Sequence, residues 1–374
     1  MKRIFSFFMI LILSQWFIPL PVHAEENAKA ILLSEASTGN VLMEENADTP
    51  LPVGSLAKLM TAYLTAKAID AGELQLDTVL TAGESVTSMS GASIWLQAGD
   101  KATVEELLFG ILTGNANDAS DVLAKAISGD EKNFVMDMNA TAFELGMKST
   151  WFTSPQGFDD PDAHSTARDL SKLACAVLQC DILSPYMTTW RIIIREDSTP
   201  ADLVNENTFT RTMEHCKGLK ACHSPECGQC VIASAEQNGL TCIAIVLGCD
   251  DEDERFAIAK RLLRNGFSNY KVTVPAFSEE FLQPLTIKGG TENAVLLEVS
   301  ELPALAVSGE EQLETVIVLP EFMQAPVKKG FPVGMVYFYH EKTLLCEVPL
   351  LTADAVGKMT FSHAWGKVCK YLFS

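Results

Sequence analysis

The sequence predicts an α+β protein: a mixed helix-and-strand unit over residues 25–270, then a small all-β domain at about 272–352. Two observations carry that reading. Up to residue 270, apolar residues recur at helical spacing in some segments and as short β-type runs in others. After Val272 only short β-branched and aromatic runs remain, broken by Gly and Pro, with no helical stretch between them. A chain of 374 residues is long enough for two such domains and a tail.

The elements follow in chain order. Met1-Lys2-Arg3, an apolar run from Ile4 to Leu20, and Val22-His23-Ala24 before Glu25-Glu26 have the three parts of a secretory signal peptide. The rival reading is a membrane-spanning anchor. Ser14, Gln15 and Pro19 interrupt the run, so cleavage after Ala24 and an exported mature chain are expected. Ala30-Ile31-Leu32-Leu33 and Asn40-Val41-Leu42-Met43 read as a hairpin. Leu56, Leu59, Met60, Tyr63 and Leu64 recur at i, i+3, i+4, i+7 and i+8 and predict a helix. Thr103-Val104-Glu105-Glu106 is a capping box opening a helix from Glu105 to Leu112. Residues 118–145 and 167–179 read as helices, Cys230–Ala233 and Cys242–Leu247 as neighbouring strands, and Arg255–Asn265 as a closing helix. The β domain is marked by Ala294–Val299, Glu314–Leu319 and Met335–Tyr339. At residues 356–374, Phe361, Trp365, Val368, Leu372 and Phe373 share a helical face ringed by Lys358, Lys367 and Lys370. Such a helix suits a membrane interface, here the outer face of the cytoplasmic membrane; the alternative is docking on the β domain.

Charge excludes one class of partner. The chain has 28 Lys and Arg against 48 Asp and Glu, a net charge of −20, which argues against nucleic acid. Ten cysteines are many for an exported protein, and six of them lie between Cys216 and Cys249. Cys227-Gly228-Gln229-Cys230 has zinc-ligand spacing, and Cys222 and His223 could complete a set of four. Disulfides and buried free thiols are the competing readings, and neither a metal nor another cofactor is expected.

Chemistry enters at Gly54-Ser55-Leu56-Ala57-Lys58, a serine and a lysine three residues apart at the head of a helix. Positions i and i+3 share a helix face. A lysine amine can take the proton of a serine hydroxyl if burial or a nearby cation lowers its pKa from about 10.4. Two later segments join this pair: Gly114-Asn115-Ala116-Asn117-Asp118-Ala119-Ser120 and Gly218-Leu219-Lys220-Ala221-Cys222-His223.

In order and spacing these three segments resemble the serine-type D-Ala-D-Ala carboxypeptidases, the low-molecular-mass penicillin-binding proteins. That family carries Ser-x-x-Lys, Ser-x-Asn and Lys-Thr-Gly. Ala30–Met60, Ala92-Ser93-Ile94-Trp95-Leu96, Ser165-Thr166-Ala167-Arg168-Asp169-Leu170 and Gly239–Gly248 extend the resemblance across residues 28–370. It implies a penicillin-binding, β-lactamase-like domain: an antiparallel sheet flanked by helices, a helical lobe, and the serine in the cleft between them. It also implies acyl transfer on a peptidoglycan stem peptide ending in D-Ala-D-Ala, with β-lactams as inhibitors. Ser55 would be the nucleophile and Lys58 its base. Asn115 and Asn117 would complete the catalytic group, and Lys220, Ala221 and Cys222 would line the substrate site. Backbone N–H groups of Ser55 and of the strand after Lys220 would hold the oxyanion.

Three departures from the family pattern set expectations of their own. Asn115 replaces a serine and cannot relay a proton as a hydroxyl can. Ala221 and Cys222 replace Thr and Gly, removing a hydroxyl and adding a side chain where close backbone approach is usual. Thr241 stands where an arginine is usual after Gly-Met, so a second carboxylate partner is expected to be missing. These losses favour a slow or specificity-shifted carboxypeptidase, with a non-catalytic muropeptide- or penicillin-binding paralogue as the alternative. A β-lactamase fits less well, because no Glu-x-x-Leu-Asn segment supplies a deacylating base. No Gly-x-Ser-x-Gly elbow supports a Ser-His-Asp hydrolase, and His164 reads as structural. In the implied fold most of the clustered cysteines fall on adjacent strands, where alternate side chains face opposite ways, which disfavours four-way convergence on a metal.

Overall fold

The computed structural model describes residues 27–275, 277, 282–309, 313–340 and 342–372. The signal-peptide reading at 1–24 lies outside the described residues. β1 (Ala30–Glu35) and β2 (Val41–Glu45) form the first hairpin. A 3-10 turn, Gly54–Ala57, runs directly into α1 (Lys58–Asp70). β3 (Val79–Thr81) and β4 (Lys101–Thr103) make a small ribbon ahead of α2 (Val104–Leu112). There the Thr103 hydroxyl accepts from the Glu106 N–H while the Glu106 carboxylate accepts from the Thr103 N–H.

The helix expected over 118–145 is two helices, α3 (Asn117–Ser128) and α4 (Glu131–Glu144). Gly129, at φ +83°, closes the first, and the Asp130 carboxylate accepts from the Asn133 N–H to open the second. Then come α5 (Ala167–Leu178), α6 (Ser184–Thr188), the ribbon of β5 (Arg191–Ile194) and β6 (Ala201–Val204), and α7 (Phe209–Thr212). β7 (Cys216–Ser224), β8 (Gly228–Gln237), β9 (Leu240–Cys249) and α8 (Glu252–Asn269) complete the unit.

The central sheet runs β2-β1-β9-β8-β7 and is antiparallel throughout. β1, β8 and β9 are largely buried on both faces because each face carries a core, whereas the edge strand β2 is half-buried to exposed. One face packs with Leu56, Leu59, Met60, Leu107, Ile111 and Leu173 of the helical lobe; the other packs with Phe256, Ala259, Leu262 and Leu263 of α8. α1 is buried nearly all round rather than on one stripe. Its polar groups are therefore paired: the Thr61 hydroxyl donates to the Pro155 carbonyl and Thr65 to the Thr61 carbonyl. β7 is the other edge strand, and the Ser55 turn lies against it.

The strands that follow are β10 (Tyr270–Thr273), β11 (Leu285–Lys288), β12 (Ala294–Val295), β13 (Leu297–Val299), β14 (Leu305–Ser308), β15 (Glu314–Val318), β16 (Phe322–Gln324), β17 (Pro332–His340) and β18 (Thr343–Thr352). They form sheets β10-β14, β12-β11-β16 and β13-β18-β17-β15 around a core including Leu305, Val336, Phe338 and Leu350. The run expected as one strand over Ala294–Val299 breaks at exposed Leu296, and its halves join different sheets. α9 (Phe361–Leu372) ends the description. Its Phe361 and Trp365 rings stack at 6.4 Å and are 84% and 61% exposed, so neither is covered by the β domain. Of the rest of that face, the side chains of Val368 and Leu372, with Lys367 and Lys370, and all of Phe373 fall outside the described residues.

Candidate active site

Three chain segments converge at the head of α1. The 3-10 turn holds Ser55, partly exposed, and the first α-helical residue is Lys58, which is fully buried. The loop between α2 and α3 brings Asn115 and Asn117, and β7 brings Lys220, Ala221 and Cys222. Asn115 adopts φ +57°, a left-handed conformation that asparagine tolerates better than most residues, and its amide nitrogen lies 3.5 Å from Ser55 Oγ.

The hydrogen bonds of Lys58 determine what its amine can do. Nζ donates to Asn117 Oδ1 at 2.7 Å and to the Gln156 carbonyl at 2.8 Å. The Asn117 amide is fixed in that orientation, because its nitrogen donates to the Ser90 carbonyl at 2.7 Å. Burial, reinforced by the charge of Lys220, holds the Lys58 amine well below the usual lysine range. A neutral amine has two N–H bonds and one lone pair. Both N–H bonds of the neutral form have acceptors here, which leaves its lone pair unused by them.

Lys220 is buried and donates to the Ile111 carbonyl at 2.9 Å; burial lowers its pKa to about 8. It thus keeps a positive charge near neutral pH. Asp118, next to Asn117, accepts from the Ile94 and Leu96 N–H groups and from the Ser93 hydroxyl, which ties the 92–96 loop to the start of α3. Gly157, at φ +71°, packs so closely that a Cβ there would overlap the Gly54 carbonyl. Residues 156–157 therefore serve the site twice: one supplies the Gln156 carbonyl, the other a close approach to the Ser55 turn.

Comparison with known proteins gives this arrangement its family. Residues 20–251 match the family described as D-alanyl-D-alanine carboxypeptidase, and residues 279–358 match the C-terminal domain of penicillin-binding protein 5. The chain belongs to the D-alanyl-D-alanine carboxypeptidase family. It is 30% identical to D-alanyl-D-alanine carboxypeptidase DacF of Bacillus subtilis over 96% of both chains. It is 28% identical to DacC of Escherichia coli over 90% of this chain and 86% of that one. Among solved structures, penicillin binding protein 5 of Haemophilus influenzae superimposes with a TM-score of 0.79 at 25% identity, covering 89% of this chain and 98% of that one. Penicillin-binding protein D2 of Listeria monocytogenes in its cefotaxime-bound form gives 0.59 at 31% identity, covering 64% and 97%.

Within the carboxypeptidase framework, one sequence expectation needs revision. Thr241 is not a neighbour of the serine. It pairs with Glu236 on β8, six residues along that strand from Cys230, the partner of Cys222. At about 3.3 Å per residue that is some 20 Å away. Thr241 lines a different groove, with Glu35, Lys217 and Val272, so an arginine there would meet no substrate held at Ser55. Nor do Cys222, His223, Cys227 and Cys230 assemble as four metal ligands. His223 lies on the alternate face of β7, mostly exposed and 3.7 Å from Glu206. Among the described residues no group of three or more His, Cys, Asp or Glu is placed to hold a metal. Ala221 is enclosed in the core under α8, whereas Cys222 faces the Ser55 turn, its Sγ 3.5 Å from the Val53 carbonyl.

Arg255 escaped the sequence reading. Completely buried at the start of α8, it donates to the Cys222 carbonyl at 2.7 Å and the Cys230 carbonyl at 3.3 Å. It braces the part of β7 that faces Ser55. Its only sequence signal is an arginine one turn into a helix that begins beside the sheet. His164 lies with its ring on the Asp162 carbonyl and its backbone bridged to Trp151.

Proposed function

We propose that this chain is a D-alanyl-D-alanine carboxypeptidase of peptidoglycan stem peptides, working through a Ser55 acyl-enzyme. The observation that carries the reading is the Lys58 amine, whose two hydrogen-bond acceptors leave its lone pair for the serine proton. Ser55 Oγ attacks the carbonyl between the two D-alanines as its proton passes to Lys58. Backbone N–H groups of Ser55 and of β7 stabilise the oxyanion, and the terminal D-Ala leaves with the proton. Water then cleaves the ester. Asn117 orients Lys58, Asn115 contacts the Ser55 hydroxyl, and Lys220 attracts the substrate carboxylate. The Cys222 side chain stands where close backbone approach would favour glycine, and this supports a slow or shifted enzyme.

Mass spectrometry tests the reading directly. Wild type incubated with penicillin is expected to gain one adduct and Ser55→Ala none, and wild type should release free D-Ala from a D-Ala-D-Ala peptide. An unmodified wild type under prolonged excess of penicillin would refute the acyl-enzyme and favour the binding-only paralogue.

The same reading places the mature protein outside the cytoplasm, with α9 lying on the outer face of the cytoplasmic membrane. The exposed Phe361 and Trp365 rings support this. Removing residues 356–374 is expected to move the mature protein from the membrane to the soluble fraction. Retention of the truncated protein on membranes would place the anchor elsewhere.

A further inference from the structure

Behind the nucleophile lies a group of side chains that the acyl-transfer reading does not use. Cys222 and Cys230 are directly opposed partners on β7 and β8, and Cys227 sits in the turn between those strands. All three are buried thiols. They meet under the Ser55 turn: the Cys227 and Cys222 sulfurs lie 3.1 and 3.8 Å from where a Gly54 Cβ would stand. Cys230 Sγ lies 3.3 Å from the Cys227 carbonyl and accepts from the Gly248 N–H at 3.4 Å. Ser224 Oγ is 3.2 Å from Cys227 Sγ.

We propose that Cys227 and Cys230 form a thiol-oxidation site, converted by a hydroperoxide to a disulfide that slows acylation of Ser55. Hydrogen bonds from Cys222 and Cys230, then Ser224, push the Cys227 thiol below its ordinary range, which favours it as the attacking sulfur. Cys227 is buried, but Pro225 and Glu226 of the same turn are exposed, so the turn that carries it lies at the surface. The thiolate attacks one peroxide oxygen. An S–O bond forms, the O–O bond breaks, and hydroxide leaves to be protonated to water. The Cys230 sulfur then attacks the sulfenic sulfur, forming the S–S bond as the second oxygen leaves as water. With hydrogen peroxide as the oxidant, two thiols and one peroxide give one disulfide and two waters.

The consequence for Ser55 is geometric. A disulfide needs its sulfurs at about 2.05 Å, so we take Cys227 Sγ, the sulfur in the turn, to be drawn from its place against Gly54 toward Cys230 on β8. The 3-10 turn that presents Ser55 loses that support, and the Cys222 and Cys230 carbonyls shift on Arg255. The inference rests on the acyl-enzyme reading for its effect on rate and is independent of it for the chemistry at sulfur.

The test uses the full mature chain, reduced and then treated with hydrogen peroxide. Peptide mapping should show a Cys227–Cys230 linkage with a loss of two hydrogens. The rate of labelling by a fluorescent penicillin should fall at least tenfold and recover on reduction. Cys227→Ser and Cys230→Ala should each keep their labelling rate under peroxide, and either variant suffices if the other fails to fold. Peroxide that leaves these thiols unlinked, linkage that leaves the rate unchanged, or native mass spectrometry showing a metal on the three thiols would overturn the proposal. If the reduced protein takes no penicillin label, the acyl-enzyme reading falls and the mapped linkage alone judges the thiol chemistry.

Discussion

Lys58→Ala is expected to slow penicillin acylation of Ser55 by about 10³–10⁶-fold while leaving the fold intact, because removing either member of a nucleophile–base pair removes the function of both. The same interactions set the pH dependence. Lys58 acts as a base only when neutral, so acylation should rise with pH through its lowered pKa. Lys220 attracts a carboxylate only when protonated, so that attraction should fade as pH passes about 8. The rate should therefore trace a bell, with its descending limb weakened or absent in Lys220→Ala. Stopped-flow labelling with a fluorescent penicillin from pH 5 to pH 10 checks both limbs.

Arg255→Met should produce the largest loss of stability among single substitutions near the site. The guanidinium is buried and donates to the Cys222 and Cys230 carbonyls. Its carboxylate neighbour Glu252 is mostly exposed, so the ion pair is screened and contributes little. Two buried acceptors that lose this donor cost about 1–3 kcal/mol each, hence roughly 2–6 kcal/mol in total. Both bonds come from one guanidinium nitrogen, Nη1, so Arg255→Lys should recover only part of this, since the shorter lysine side chain does not bring its nitrogen to that position. Chemical denaturation measures the loss. Penicillin labelling of the folded fraction should also slow, because the same carbonyls fix β7 beside Ser55.

These expectations separate what the sequence shows from what only folding reveals. The coming together of Ser55, Lys58, Asn115, Asn117 and Lys220 is legible because their spacing in short motifs carries the signal. The Gln156 carbonyl that orients Lys58 is a backbone group, and no side-chain pattern announces it. The place of Thr241 is hidden from the sequence for another reason. Its distance from Ser55 depends on the pairing of β8 with β9, where Thr241 meets Glu236 rather than Cys230, and linear spacing does not give register. Arg255 looks in sequence like one of several charges on a solvated helix. It is buried because α8 begins over the β7–β8 hairpin, and the carbonyls there need a donor. The split between α3 and α4 was readable from Gly129-Asp130, a helix stop followed by a helix cap, within an otherwise continuous helical pattern.

The central claim is that Lys58 is a neutral amine whose lone pair faces the serine proton, and its ionisation can be observed without any substrate. Lysine labelled with ¹³C at Cε reports protonation through its chemical shift, and the Lys58 signal is assigned by its disappearance in Lys58→Arg. The account expects a titration midpoint well below the usual value of about 10.4, moving upward when Lys220 is replaced by Ala. A midpoint at or above 10, unmoved by Lys220→Ala, would mean that Lys58 is an ordinary ammonium and would contradict its role as the base.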